Sequence, residues 1–111
     1  MRPIVYTLAA TGNSAVAPMD YFISPANIAL NVVVSGTVNY TVQYTFDNVF
    51  ATGYDPSTGN WTDHPFMTSK TITFDSNVAY PVRGIRLKVN SGTPTFSATL
   101  TIIQGGGGGL A

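Results

Sequence analysis

The longest regular pattern in the chain is an alternation of apolar and polar residues over positions 37–46. The apolar positions are Val38, Tyr40, Val42, Tyr44 and Phe46, and Thr, Asn or Gln lies on either side of each up to Thr45. A repeat of two residues is that of a β-strand, in which successive side chains point to opposite faces. The pattern therefore predicts a strand with one apolar face and one polar face.

A nearly continuous apolar run over positions 28–34 precedes this strand, and Ser35-Gly36 separates the two segments. Glycine adopts the positive φ of a tight turn without steric cost. We therefore expect the two segments to pair as a β-hairpin.

Alternation recurs over positions 71–75, 85–89 and 96–102, and shorter apolar segments lie at 4–8 and 21–23. The turn-forming residues 90–94 separate the last two long segments, which predicts a second hairpin. No long helical pattern interrupts the series. About seven to eight strands separated by turn signals predict an all-β fold, an antiparallel β-sandwich that is jelly-roll-like.

The length of 111 residues fits one domain with a single core. We assign residues 1–104 to one sandwich domain whose first residues form an arm. Residues 105–111 begin with five consecutive glycines and end Leu110-Ala111. Because glycine loses the most conformational entropy on ordering, this segment is expected to be a flexible tail.

Only 9% of the residues are charged, the formal net charge is zero, and the chain contains neither Glu nor Cys. A neutral chain has no basic field to attract phosphates, so a nucleic-acid partner is not expected. No apolar run approaches the ~20 residues of a membrane span, so no membrane partner is expected. Low charge favours a surface that is covered in an assembly.

The candidates for catalysis are few, and we expect no enzymatic activity, cofactor or metal. His64 is the only histidine and follows Asp63 in the connection 47–69, but no motif supplies a nucleophile or an oxyanion hole. Asp55, Asp63 and His64 could hold a cation in principle. However, Asp55-Pro56-Ser57-Thr58-Gly59 is also typical of a turn, which is the favoured interpretation.

Two groups of residues are candidates for contact with a partner. The aromatic residues of the long connection either pack on their own sandwich or form an exposed platform for a sugar or a protein. Arg83, Arg86 and Lys88 form a basic set that faces solvent, pairs with Asp residues across the strands or meets an acidic partner. With the two termini, the candidate residues are Arg2, Pro3, Tyr54, Trp61, His64, Phe66, Arg83, Arg86, Lys88 and Leu110.

The opening residues 1–6, the Thr- and Val-rich strands, the lack of Cys and Glu, and the Gly-rich end together resemble small virion proteins of tailed bacteriophages. Overall length and pattern are most similar to the capsid decoration, or staple, proteins of epsilon-15-like podoviruses. No short motif defines that group, so no residue role is transferred from it.

The resemblance implies a non-enzymatic structural protein on the capsid exterior, made in the host cytoplasm. Such a protein would bind the major capsid protein and staple neighbouring subunits against DNA pressure. It would act as a homodimer or as paired copies at local two-folds. The alternative is a carbohydrate-binding or receptor-binding virion module that uses Trp61, Tyr54 and His64 as a sugar platform.

Overall fold

The computed structural model describes residues 3–19 and 27–105, which form nine β-strands in two antiparallel sheets. Arg2, the strand predicted at 21–23 and residues 106–111 of the tail predicted at 105–111, Leu110 among them, lie outside the described residues. The strands are β1 (Ile4–Leu8), β2 (Gly12–Asn13), β3 (Ala17–Pro18), β4 (Asn27–Ser35), β5 (Val38–Thr45), β6 (Trp61–Asp63), β7 (Phe74–Val78), β8 (Gly84–Gly92) and β9 (Ser97–Gly105).

The strand order is that of a jelly roll. The four-stranded sheet has the order β1-β9-β4-β7, and the five-stranded sheet has the order β2-β8-β5-β6, with β3 also pairing with β8. Strands early in the chain thus pair with strands late in the chain: β1 pairs with β9, β2 with β8, and β4 with β7. The prediction of an all-β antiparallel sandwich is confirmed.

Both predicted hairpins are wrong, because each pair of consecutive strands divides between the two sheets. Strand β4 pairs with β7 and β9, whereas β5 pairs with β6 and β8. Likewise β8 and β9 belong to different sheets. The turns at 36–37 and 93–96 are therefore arches from one sheet to the other. Alternation identifies which side chains face the core, but a strand in a hairpin and a strand in an arch have the same alternation.

The core lies between the inner faces of the two sheets. Ile28, Leu30 and Val32 of β4 point inward from one sheet, and Val42 of β5 and Leu87 of β8 point inward from the other. Each of these side chains is almost completely removed from water, which contributes roughly 1.5–3 kcal/mol per large aliphatic side chain before the entropic cost of ordering.

The predicted polar face of β5 is also buried, contrary to expectation. Thr41, Gln43 and Thr45 are excluded from solvent because the connection between β5 and β7 folds over them. The Thr45 hydroxyl donates to the carbonyl of Asn60 (2.8 Å), and the Thr41 hydroxyl accepts from the backbone N–H of Ser69 (3.0 Å). Hydrogen-bonding side chains are therefore needed on this face although it is internal.

The strand predicted at 71–75 begins later than expected. Strand β7 starts at Phe74, and its inward positions are Phe74, Ser76 and Val78, so Ile72 lies outside the strand and is exposed. The reason is backbone pairing: Val32 of β4 pairs with Phe74, and the pairing extends from there toward Val78.

One aromatic side chain lies against both arches. Phe96 is buried, and a Cβ atom added to Gly36 would lie 3.2 Å from its Cα. The Phe96 ring also covers Gly92, where an added Cβ would overlap the ring. The backbone N–H of Thr93 donates to the carbonyl of Thr37 (2.9 Å) and joins the two arches directly. Glycine at position 36, with φ +78°, suits both the conformation and the close approach.

We predict that Gly92→Ala lowers the free energy of unfolding by about 1–3 kcal/mol, because the added methyl displaces the Phe96 ring. Urea denaturation gives the value. Ser91→Ala, at the exposed neighbouring position, serves as the control and should change it by less than about 0.5 kcal/mol. The double variant Gly92→Ala/Phe96→Leu should lose less unfolding free energy than the sum of the losses in the two single variants. A loss equal to that sum would contradict the contact.

Candidate binding surface

The connection between β5 and β7 is organised around a short 3-10 turn and strand β6. Asp55 caps the turn Pro56–Thr58, accepting hydrogen bonds from the hydroxyl (2.8 Å) and the backbone N–H (3.0 Å) of Ser57. These two bonds lower the pKa of Asp55. The predicted turn is confirmed. In residues 3–19 and 27–105, no three His or Asp side chains are grouped closely enough to hold a metal ion.

Arg86 fastens this connection to the outer face of the five-stranded sheet. Its guanidinium lies over the Trp61 ring, with 4.1 Å between the guanidinium carbon and the ring centroid, and its Nε donates to Oε1 of Gln43 (2.8 Å). A second guanidinium nitrogen donates to the carbonyl of Pro56 (3.4 Å), which also accepts from Nε1 of Trp61 (3.0 Å). The amide of Gln43 in turn donates to Asp63 (2.8 Å).

Arg86 is only 8% exposed, so the interpretation of the basic set as a solvated face is wrong at this position. Burial lowers the pKa of Arg86, although an arginine remains charged at any pH in ordinary use. Lys88, two residues further along β8, is exposed, and Arg83 is half-buried before the strand begins. The three residues therefore occupy different environments. The spacing of Arg86 and Lys88 placed both on one face but did not show that the connection covers that face at Arg86 and leaves Lys88 exposed.

His64 is buried and anchors the turn that follows β6. Its Nδ1 accepts from the backbone N–H of Phe66 (3.1 Å), which leaves Nε2 to donate to the carbonyl of Asn77 (2.9 Å). The backbone N–H of His64 donates to the carbonyl of Val42 (2.8 Å). Both ring nitrogens are thus engaged by backbone groups, so the histidine ties the connection to β7.

An aromatic cluster lies where β5 ends. It consists of Tyr44, Phe46, His64, Phe66 and Tyr80, whose ring centroids form a continuous series of neighbours 5.6–6.5 Å apart. Tyr44 and His64 form its buried base. Phe46 is 57% exposed, Phe66 66% and Tyr80 42%. This cluster therefore presents three aromatic side chains to the surface on a fixed support.

The local sequence explains why these rings point outward. The carbonyl of His64 accepts from the backbone N–H of Met67 (3.1 Å), and both His64 and Met67 are buried, so the turn between them leaves Phe66 outside. Strand β5 ends at Thr45, whose carbonyl accepts from the N–H of Arg83 (2.9 Å). Phe46 follows the last strand residue and is exposed, although alternation had assigned it to the apolar face.

Tyr80 is held in the cluster by a hydrogen bond from its hydroxyl to that of Tyr44 (2.9 Å). This bond, together with burial, raises the pKa of Tyr80 to about 12. Burial and the negative charge of Asp75 raise the pKa of Tyr40 to about 12 as well. Both hydroxyls are therefore protonated at neutral pH.

The remaining predicted residues are dispersed. Tyr54 lines a separate groove of about 380 Å³ with Phe50 and Val16, and its hydroxyl donates to Asp47 (3.2 Å). Pro3 is exposed just before β1. Of the predicted partner-binding residues, only His64 and Phe66 belong to the aromatic cluster. Sequence reasoning missed Phe46 and Tyr80, because the end of β5 and the position of residues 79–83 depend on tertiary pairing.

We predict that Arg86→Ala lowers the free energy of unfolding by on the order of 2 kcal/mol, because it removes the stacking on Trp61 and leaves the Gln43 oxygen without its donor. Urea denaturation followed by the fluorescence of Trp61, the only tryptophan, gives the value. Lys88→Ala is the matched control on the same strand and should change stability by less than about 0.5 kcal/mol. Equal effects of the two variants would contradict this role of Arg86.

We also predict alkaline destabilisation from the tyrosines. The pKa values of Tyr40 and Tyr80 lie above the ordinary 10.0, so the folded state retains protons that the unfolded state loses. Their contribution to stability is complete below about pH 10 and is lost as the pH rises through about 12. Denaturation between pH 9 and 12 should show a shallower loss in Tyr80→Phe than in the unaltered chain. An identical loss would contradict the raised pKa of Tyr80.

No helix within the described ranges is long and apolar enough to cross a membrane. Comparison of the chain with known protein families, with curated proteins and with solved structures gave no match. The candidate contact surface is therefore inferred from the structure itself.

Proposed function

We propose that this chain is a non-enzymatic structural protein that binds the outer surface of a viral capsid and staples neighbouring subunits of the major capsid protein. The observation that carries the proposal is the aromatic cluster, in which Phe46, Phe66 and Tyr80 are exposed on a rigid base. The capsid as partner comes from the resemblance to decoration proteins. Binding to the shell would locate the chain on the exterior of the virion.

The aromatic cluster has the properties of a protein-docking site. Aromatic residues are enriched at the centres of protein interfaces, where they bury large areas and fix few rotatable bonds. The edge-to-face contacts of Tyr44 with Phe46 and Tyr80 limit their motion before a partner arrives. Little side-chain entropy is then lost on binding, which favours affinity from a small contact.

The jelly roll supplies the rigidity that a brace needs. Two sheets joined by short arches share one core, and Arg86 holds the connection between β5 and β7 against the outer face of the five-stranded sheet. A protein that binds only the assembled shell stabilises it by mass action, and many weak copies on a symmetric lattice add up. Jelly rolls occur in viral capsid and lectin domains, but a fold does not determine a function, so the proposal depends on the surface.

A second candidate is carbohydrate or receptor binding, favoured by the same exposed rings, since sugar rings also stack on aromatic faces. The residues predicted for it do not form an open platform: His64 is buried, and Arg86 covers one face of Trp61. The exposed rings of the aromatic cluster, Phe46, Phe66 and Tyr80, are available for such stacking. A glycan array with the unaltered chain and with Phe46→Ala separates this function from capsid binding.

We predict that Phe46→Ala weakens binding to the shells of the encoding virus by about tenfold or more, because a central aromatic contact contributes on the order of 2 kcal/mol. Shells stripped of the protein are mixed with purified chain and sedimented, and the bound fraction is measured against concentration. Phe50→Ala is the matched control, since Phe50 is similarly exposed but lies in the separate groove.

Three results would oppose the proposal in different ways. Failure of the unaltered chain to sediment with shells would remove the capsid function. Equal weakening by Phe50→Ala would remove the aromatic cluster as the contact. Retained shell binding by Phe46→Ala, with lost binding to a glycan, would assign the cluster to sugars instead.

A further inference from the structure

The two edges of the four-stranded sheet can be compared by following the direction of its backbone hydrogen bonds. Strand β1 forms one edge and β7 the other. In β4, the backbone N–H of Val34 donates to the hydroxyl of Thr73, which directly precedes β7 (3.2 Å). In an antiparallel sheet the N–H and C=O of one residue point to the same side, and successive residues alternate between the two sides. The even-numbered residues of β4 therefore direct their backbone groups toward β7, and the odd-numbered residues direct theirs toward β9.

The same alternation determines which residues of β1 face its free edge. Thr99 of β9 lies opposite the odd-numbered Val33, so its backbone groups face β4, and the even-numbered residues of β9 face β1. The even-numbered residues of β1 lie opposite these and bond to them. Val5 and Thr7 therefore direct their N–H and C=O groups away from the sheet. The contact between the Thr7 and Thr99 hydroxyls (3.0 Å) agrees with this direction, because side chains lie closer at a pair that shares no backbone hydrogen bonds.

Strand β7 has a free edge of the same kind, but this edge is protected. Asn77 directs its carbonyl outward, and Nε2 of His64 donates to it (2.9 Å). Asp75, at the other outward position, adds a carboxylate. Charged side chains and covering groups are devices that prevent an edge strand from pairing with another chain. Strand β1 has neither, since Ile4–Leu8 contains no charged residue and, within the part of the chain that the structure describes, no strand pairs with its outer side.

The core is also incompletely covered at β1. The inward side chains of this strand, Ile4, Tyr6 and Leu8, are only partly buried, whereas the inward side chains of the neighbouring β9 are almost completely buried. A further strand beside β1 covers the remaining apolar area, as β1 and β4 cover β9. Pro3, just before the strand, has no N–H to offer, so the paired segment is short.

We propose that the free edge of β1 binds an extended segment of a partner protein, which adds to the four-stranded sheet as a fifth strand. Main-chain hydrogen bonds to Val5 and Thr7 supply affinity, and alternate side chains supply selectivity. In antiparallel pairing, directly opposite residues share a face of the sheet. The partner residue opposite Tyr6 therefore lies against the core and is apolar, and the residues opposite Val5 and Thr7 are uncharged and β-branched.

The size of the free edge favours a segment of chain over a second folded copy. Five residues at about 3.4 Å each, on a layer about 10 Å thick, offer an area on the order of 200 Å². A stable contact between folded proteins buries roughly 800 Å² on each partner. An extended segment needs less, because its own backbone groups are satisfied by the hydrogen bonds that it forms with the edge.

Amide hydrogen exchange of the isolated chain tests whether the edge is free. We expect the N–H groups of Val5 and Thr7 to exchange at least about tenfold faster than those of Tyr6 and Leu8, which bond to β9. Equal protection of the two pairs would mean that the edge is already occupied and would overturn the inference. Protection of Val5 and Thr7 that rises with the concentration of the chain would assign the edge to a second copy, which also contradicts it.

A synthetic peptide with the sequence of residues 97–104, flanked by two lysines at each end, is the probe for the partner segment. This sequence already pairs with β1 inside the sheet, and its Thr and aliphatic residues alternate as the free edge requires. At about 1 mM peptide, protection of Val5 and Thr7 should rise at least about twofold, the value for a dissociation constant of about 1 mM. The same peptide with proline at its two central positions should have no effect. No added protection, or equal protection by both peptides, would overturn the inference.

Proline substitution tests the direction of the backbone groups. Val5→Pro removes an outward N–H, whereas Tyr6→Pro removes a bond to β9, so Val5→Pro should lower the free energy of unfolding by much less in urea denaturation. Val5→Pro should also lose the peptide-induced protection of Thr7, and Val5→Thr, which keeps the N–H, should retain it. Equal destabilisation by the two prolines, or unchanged protection in Val5→Pro, would contradict the inference. All these experiments use the isolated chain, so their failure is separate from failure of capsid binding.

Discussion

The contact of Phe96 with Gly36 and Gly92 is the constraint on which the rest of the fold depends. A jelly roll requires the chain to leave one sheet and enter the other within a few residues, and it does so at both arches beside this one ring. An added Cβ would overlap the Phe96 ring at Gly92, and Gly36 combines a tight approach to Phe96 with a positive φ that favours glycine. The hydrogen bond between Thr93 and Thr37 sets the two crossings side by side. Once the arches are aligned, β4 pairs with β9 in one sheet and β5 pairs with β8 in the other over most of their lengths. The shared core then follows from alternation alone.

The two sheets expose very different outer faces. The outer face of the five-stranded sheet is covered by the connection between β5 and β7. Gln43 and Thr45 form hydrogen bonds to this connection, and Arg86 stacks on Trp61. The outer face of the four-stranded sheet consists mainly of short side chains, few of them charged. The folded connection also produces the aromatic cluster, because His64 and Met67 are drawn inward and Phe66 is left outside. A single long connection thus covers one face and creates the exposed aromatic cluster, whereas no segment of the described residues covers the other face.

Local pattern was sufficient for the fold class and for most strands. The alternation around Val42 and Leu87 identified inward positions correctly, because the side-chain period of a strand is a local property. Pairing is not local: the Gly36 turn is equally compatible with a hairpin and with an arch, so both hairpins were wrongly predicted. Burial of a polar face is not local either. Arg86 was expected in solvent because its strand alternates, and only the fold of residues 46–70 shows that it is enclosed.

The candidate surface was predictable only in part for the same reason. Phe66 was identified because it lies in an aromatic-rich connection. Phe46 was assigned to the buried face because it continues the alternation of β5. Tyr80 lies in the short segment between β7 and β8, which has no distinctive pattern. Their proximity arises where β5 and β7 end at the same side of the sandwich.

The central claim is that this chain acts by occupying a repeating surface. It is tested most directly by measuring, by quantitative mass spectrometry, the copy number of this chain in purified particles of a virus whose genome encodes it, relative to the major capsid protein. The account predicts a ratio that matches the sites of the shell lattice. Absence from the particles, or the few copies expected of a tail component, would contradict it.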